Sequence, residues 1–305
     1  MYKDFPASDR LLKTFTTIAE HIRVATGQPC AALSTRRING GDINAAFCLE
    51  GFAKPYFIKL NRADLLPMFQ AEFAGLQAIA ATDTVRVPQP LLSGVANGQA
   101  YLVLEHIAFG QANRQSWQTL GRQLADLHRQ PHAYFGWQRD NTIGSTPQPN
   151  HASADWLTFW RDRRLAYQLQ LAASNGYRGN LQRLGERLCA DLAVFFAGYQ
   201  PVPSLLHGDL WGGNVAVDRQ GVPVIFDPAC YYGDRETDLA MTELFGGFAA
   251  EFYAAYQAQW PLEEGYAVRK ILYNLYHILN HLNLFGGHYL SQAEKMITLL
   301  LAELA

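Results

Sequence analysis

What this chain lacks narrows it first. Its beginning, MYKDFPASDRLLKTF, has no basic segment followed by a long apolar stretch, and no later window holds about 20 uninterrupted apolar residues. A cytoplasmic, non-membrane protein is therefore expected. The four cysteines, Cys30, Cys48, Cys189 and Cys230, lie far apart and make no C-x-x-C or Cys/His zinc pattern, so reduced thiols are the simpler expectation. An excess of either charge is missing: 25 Lys and Arg stand against 27 Asp and Glu, and nothing suggests nucleic-acid binding. There is no internal repeat, no low-complexity tract, no Walker A pattern and no full G-x-G-x-x-G. What remains is the composition of an ordinary soluble enzyme. At 305 residues the chain is long enough for about two domains with a cleft between them.

The richest stretch is LLHGDLWGGNVAVDRQGVPVIFD, residues 205–227. His207, Asp209 and Asn214 fit H-x-D-x-x-x-x-N, and Asp227 ends an apolar run downstream. Phosphoryl transfer needs in-line positioning and charge neutralisation more than covalent help. An aspartate at position 209 can accept the proton of an attacking hydroxyl, while the oxygens of Asn214 and Asp227 suit Mg²⁺, a hard cation. The segments 215–217 and 222–226 read as a tight β-hairpin around Asp218-Arg219-Gln220-Gly221, which returns Asp227 to Asn214. H-G-D as a polar turn and F-D-P as a strand end is the bland alternative; the order, spacing and flanking strands together favour the catalytic reading.

The first hundred residues read as a helix over residues 8–26 followed by strand-rich sequence. Gly40 and Gly41, in TRRINGGDINAAFCLE, suit a loop whose backbone amides approach the phosphates of ATP, although a simple hairpin turn explains them as well. Lys59 is odd inside the strand-like YFIKLN unless its ammonium faces a cleft. Glu72 flanks the apolar helical face of Phe69, Phe73, Leu76 and Ala80 and is placed to pair with it. The run AYLVLEHI then predicts a hinge strand, where the backbone of Glu105, His106 and Ile107 offers adenine partners; the His106 side chain is read as a surface histidine. From Trp117 onward helical periodicity dominates, and the boundary between lobes is expected near Gly110, giving an N-terminal lobe of 1–108 and a C-terminal lobe of 109–305. Trp156 and Trp160 read as core, and Arg161, Arg163 and Arg164 as a solvated helix face.

Several stretches together resemble the fructosamine kinase, or ketosamine-3-kinase, family of the aminoglycoside-phosphotransferase-like kinases. They are FIKLN, FGWQRDNTIGSTPQPN, DWLTFWRDRRLAYQLQLA, LLHGDLWGGN, FDPACYYGDRETDLAMTELFGGF and LYHILNHLNLFGGHY, which span nearly the whole chain. The resemblance implies an α+β, bilobal protein-kinase-like fold with a small β-rich N-terminal lobe and a larger α-helical C-terminal one. It implies ATP-dependent phosphorylation of a sugar hydroxyl, typically the 3-hydroxyl, on a small ketosamine or glycated amine, in deglycation. By motif position Asp209 is the proton acceptor, Asn214 and Asp227 are Mg²⁺ ligands, Lys59 with Glu72 anchors ATP, and Asp238 braces the catalytic loop.

Sugar recognition has no compact signature. Trp211, two residues from the base, is the first candidate, with packing beneath its loop as the alternative; His281 and Asn283 follow from the family's C-terminal helices, with core or capping roles as their alternative. Arg235 and Glu236 could form a local ion pair and are left outside the substrate reading. A different acceptor, such as an aminoglycoside, choline or a simple sugar, and a silent nucleotide-binding module are the competing functions. Pro-Ala after Asp227 and the missing A-P-E segment disfavour a protein kinase.

Overall fold

The structure is a computed structural model that describes residues 8–39 and 43–304. The chain opens with α1 (Ser8–Thr26) and then builds β1 (Ser34–Ile38), β2 (Ala45–Glu50) and β3 (Tyr56–Arg62). After α2 (Leu66–Ala80) it adds β4 (Pro90–Ala96) and β5 (Gln99–Glu105), and the antiparallel sheet runs β1-β2-β3-β5-β4. Alternation along the strands sorts its two faces. Ile58, Leu60, Tyr101 and Val103 point to one side, where they bury Phe15, Ile18 and Ile22 of α1. Ala100, Leu102 and Leu104 point to the other, against α2 and the rest of the chain. Lys59 pairs with Leu102 across the strands and shares that second face. The period of two thus delivers one ammonium into an apolar layer.

Residues 106–113 then run to α3 (Arg114–His128), whose start is fixed by a capping box between Asn113 and Ser116. A short hairpin, β6 (Asn141–Ile143) with β7 (Thr146–Gln148), precedes α4 (Trp156–Trp160), a wide π-helical turn over Arg161–Leu165, and α5 (Ala166–Ser174). Next come α6 (Asn180–Ala190), a 3₁₀ turn (Leu192–Phe196), β8 (Ser204–Leu206) and the hairpin of β9 (Val215–Val217) with β10 (Pro223–Ile225). β11 (Tyr231–Gly233) pairs back with β8, and α7 (Glu236–Leu244), α8 (Ala250–Gln259), α9 (Tyr266–Phe285) and α10 (Tyr289–Ala302) complete the helical part. One apolar core is continuous from Leu102 and Leu104 through Leu76, Leu120, Leu124 and Trp160 to Leu272, Ile278 and Leu282. Trp156 and Trp160 stack at 5.4 Å inside it, as the i,i+4 spacing predicts. No helix among the described residues is long and apolar enough to cross a membrane.

Two expectations are corrected here. Arg161 and Arg163 are exposed, but Arg164 is fully buried: it donates to the carbonyls of Pro149 at 2.7 Å and Arg163 at 3.0 Å and to Asn150 Oδ1 at 2.7 Å, with its guanidinium 4.1 Å from the Tyr231 ring centre. The wide turn rotates it inward, and carbonyl dipoles with a ring face replace the water it loses. Arg235 and Glu236 do not pair with each other either. Arg235 donates to the carbonyls of Trp260 and Pro261, while Glu236 takes a bidentate pair from Arg269 at 2.7 and 2.9 Å.

The Glu236–Arg269 pair is almost wholly buried, with side-chain exposures of 0% and 3%. Removing one partner strands the other in a dry site. Arg269→Leu is expected to lose about 3–5 kcal/mol of stability, and the double variant with Glu236→Leu to recover most of it. Urea denaturation of the three proteins checks this; a single variant as stable as the natural protein would show that the pair contributes nothing.

Candidate active site

The β9–β10 hairpin performs the predicted return. Phe226 N–H donates to Asn214 O at 3.1 Å, so Asn214 and Asp227 lie at neighbouring ends of the same ribbon. Asn214 closes the 3₁₀ turn Gly212–Asn214, and its Nδ2 donates to Asp209 O at 2.9 Å and to Asp209 Oδ2 at 3.1 Å. Both acceptors claim the amide nitrogen, which leaves the amide oxygen available. Asp227 sits at φ +58°, a left-handed backbone uncommon outside glycine, and its side chain is 46% exposed. That sharp turn at the strand end presents the carboxylate to the cleft instead of to the hairpin.

Lys59 reaches the same place from the sheet. Its ammonium lies 2.7 Å from Glu72 on α2 and 2.5 Å from Asp227. Burial alone would lower its pKa, but Asp227 and Glu72 outweigh that and hold it raised. Burial drives the Glu72 carboxyl upward against the pull of Lys59, since one ammonium is shared between two acids. Asp209 is pushed up to about 7 by burial and then by the charge of Asp227, with the Asn214 hydrogen bond acting the other way. A carboxylate of that basicity is better suited to taking a hydroxyl proton than an ordinary aspartate.

The loop that carries Asp209 is held from below. Asp238, near the start of α7, accepts the backbone N–H of His207 at 2.7 Å and of Gly208 at 2.8 Å, and lies 3.2 Å from His128 Nε2. His128 Nδ1 meets the hydroxyl of Tyr256 at 2.9 Å. Gly208 has φ +83°, and a Cβ there would stand 2.2 Å from Ala229 O, so the turn admits no side chain. The His207 ring accepts the Asp209 N–H at Nδ1 and donates from Nε2 to Phe226 O at 3.0 Å. It ties Asp209 to the residue before Asp227, and burial lowers its pKa. Asp238 was legible in the motif; the His128 brace, 110 residues away, carried no local signal.

At the end of β5, Arg86 bridges Glu105 at 2.8 Å and Asp218 of the β9–β10 hairpin, and Gly110 N–H donates to Val217 O. The Glu105 side chain is thereby committed to the clamp, and His106 is half-buried. The N–H of Ile107 has no hydrogen-bond partner among the described residues. Phe109 stacks on Phe226 at 5.6 Å beside it. Gly40 and Gly41 lie outside the described residues. Trp211 is 39% exposed and lies over Gly213, where a Cβ would come within 2.3 Å of the indole. His281 stacks on Phe245 at 5.0 Å. Asn283 is not brought to this group: its amide is taken at both ends, by Gln168 at 2.7 Å and Asn175 at 3.0 Å, in joining α9 to α5.

The donor set fits a hard cation. No group of three or more His, Cys, Asp or Glu side chains is placed to hold a metal among the described residues. One carboxylate and one amide oxygen suit Mg²⁺, which completes its shell with phosphate oxygens and water. The buried Lys59 beside them suits a phosphate partner.

Residues 14–303 match the family model described as fructosamine kinase. A Synechocystis protein named as a probable ketoamine kinase is 51% identical over 92% of this chain and 95% of its own length. The chloroplastic protein-ribulosamine 3-kinase of Arabidopsis thaliana is 43% identical over 85% and 80%. A solved structure from Haemophilus somnus, described as a candidate fructosamine-3-kinase, superposes with a TM-score of 0.87 at 28% identity, covering 96% of this chain and all of that one. The fold is α+β, bilobal and protein-kinase-like.

Asp238 generates a prediction in pH. Burial would raise its pKa, but His128, His207 and the Gly208 N–H together hold it below the usual value. A depressed carboxylate contributes stability above the unfolded pKa of about 3.9 and loses it as pH falls through the folded value. Asp238→Asn is expected to cost about 3 kcal/mol at pH 7, since an amide offers a donor where two N–H groups need acceptors. Urea midpoints should show that gap shrinking below about pH 4; a gap that persists unchanged at pH 3 would remove the carboxylate from this role.

Proposed function

The chain belongs to the fructosamine kinase family, and we propose that it transfers the terminal phosphoryl group of ATP to a sugar hydroxyl of a small ketosamine, such as a ribulosamine or fructosamine. The 3-hydroxyl is the position we assign, because a 3-phosphate destabilises the adduct and so serves deglycation. The observation that carries the reading is the meeting of Lys59, Asp209, Asn214 and Asp227 from three separate stretches of chain. The relatives bearing ketoamine kinase and ribulosamine 3-kinase names favour this acceptor over an aminoglycoside, choline or a simple sugar.

In the proposed mechanism Asp209 accepts the proton of the attacking hydroxyl as its oxygen bonds to phosphorus, and the bond to the leaving ADP oxygen breaks. Asn214 and Asp227 would hold the magnesium, whose charge offsets that of the phosphates. Lys59, oriented by Glu72, would hold phosphate oxygens, and Asp227, its partner here, would be a ligand for the metal. Residues 1–108 form the nucleotide lobe and 109–305 the catalytic and acceptor lobe. The Ile107 N–H would supply an adenine contact beside His106 and the Glu105 carbonyl, and a phosphate-binding role for Gly40 and Gly41 rests on the sequence alone. Trp211 offers the sugar an aromatic platform two residues from the base, with His281 on the acceptor side.

Mass spectrometry of reactions with ATP and ribulosamine, fructosamine or simple-sugar acceptors tests the assignment. One phosphate should appear on the ketosamines and be located at the 3-position; phosphorylation confined to simple sugars would overturn it. Asp209→Asn should keep much of its Mg-ATP affinity and lose roughly 10²- to 10⁴-fold in turnover. Turnover close to that of the natural protein would take the base role away from Asp209.

A further inference from the structure

An aromatic strip leads outward from the Asp209 loop. Trp211 meets Phe245 edge-on at 6.1 Å, Phe245 lies flat against His281 at 5.0 Å, and His281 meets Phe285 at 5.4 Å and Tyr289 at 5.1 Å. Trp211, Phe245 and Phe285 are 39%, 37% and 65% exposed, so the rings form one open surface instead of scattered apolar residues. The surface is built from three regions: the Asp209 loop, the turn after α7, and the junction of α9 with α10. Gly213 leaves room for the indole, and Gly246 and Gly247, both at positive φ, turn the chain just after Phe245.

Its electrostatics are as specific as its shape. Burial lowers the pKa of His281, so the imidazole is neutral near pH 7 and adds no positive charge. Glu243, the acid two residues before Phe245, is committed to Tyr266 at 2.7 Å and Lys270 at 2.6 Å. The strip therefore offers ring faces, which attract apolar groups and cations and give a carboxylate little. A ketosamine placed with a sugar hydroxyl at Asp209 must send the substituent on its amine somewhere, and the amine itself is cationic at neutral pH.

We propose that this strip receives the amine substituent of the acceptor and selects ketosamines whose nitrogen carries an aromatic or long apolar group. The proposal rests on the ketosamine kinase reading and adds Phe245 and Phe285 as residues that set specificity. Trp211 stands at the junction, under the sugar, while the strip beyond it is touched by the amine side alone.

The test compares N-benzyl, N-methyl and N-carboxymethyl ribulosamines as acceptors at saturating Mg-ATP. In the natural protein kcat/KM is expected to favour N-benzyl over N-methyl by about tenfold, the effect of burying part of one ring, with N-carboxymethyl lowest. Phe245→Ala and Phe285→Ala should each reduce the benzyl-to-methyl ratio to about threefold or less. Phe285 is the more exposed of the two and decides the matter if Phe245→Ala fails to fold. A ratio near one in the natural protein, or a ratio unchanged in both variants, overturns the proposal while leaving the ketosamine reading intact. Phosphorylation of none of the three overturns that reading and this inference with it.

Discussion

A single buried ammonium joins the parts of this molecule that must act together. Lys59 is 5% exposed, on the sheet face that otherwise presents Leu102 and Leu104, and a lysine in such a layer is tolerable only if its charge is met. Glu72 meets it from α2 and Asp227 from the far end of the β9–β10 hairpin, 168 residues along the chain. The ion pair therefore couples sheet, helix and hairpin through one point. Because two acids share one cation, the arrangement carries an excess of negative charge that is relieved when a further cation arrives. Asp209 is raised first by its own burial and then by the charge of Asp227, one of those two acids.

Beneath that point lies a second constraint of a different kind. Asp238 and His207 together use three backbone N–H groups and one carbonyl to fix the loop that carries Asp209. Two positive-φ positions flank this group: Gly208, where glycine takes the conformation at little cost, and Asp227, where the left-handed backbone is uncommon and the carboxylate meets Lys59. The Arg86 clamp on Glu105 and Asp218 does the corresponding work where β5 leaves the sheet.

What the sequence disclosed follows from how local each signal was. The hairpin, with its turn at Asp218 and Gly221, is a short-range feature, and its spacing placed Asn214 beside Asp227 without further information. Lys59 was legible because a charge in an alternating apolar strand is anomalous, and the pairing partner lay one helix away. Arg164 was misread for the opposite reason: three arginines in four residues look solvated by composition, and the π-helical turn that buries one of them leaves no compositional trace. The amide of Asn283 and the brace from His128 depend on partners 115 and 110 residues away, and such pairings are fixed by packing alone. Of the aromatic strip, only Trp211 and His281 were picked out in the sequence. Phe245, which joins them, reads in sequence as one more apolar residue at the close of a helix.

The two sides of the cleft divide by chemistry in a way that the fold makes economical. On the side of Lys59 and Glu72 the groups are charged and largely buried, where low polarity strengthens each interaction and would position phosphates tightly. On the side leading to α9 and α10 they are aromatic, neutral and exposed, where burial of ring surface supplies affinity with little directional demand. Asp209 and Trp211 lie two residues apart on one loop, so a single brace at Asp238 registers both sides against each other. Tight charge geometry suits a donor whose phosphates do not change, whereas an open aromatic surface would accept a varying amine substituent and rank it by the apolar area it buries.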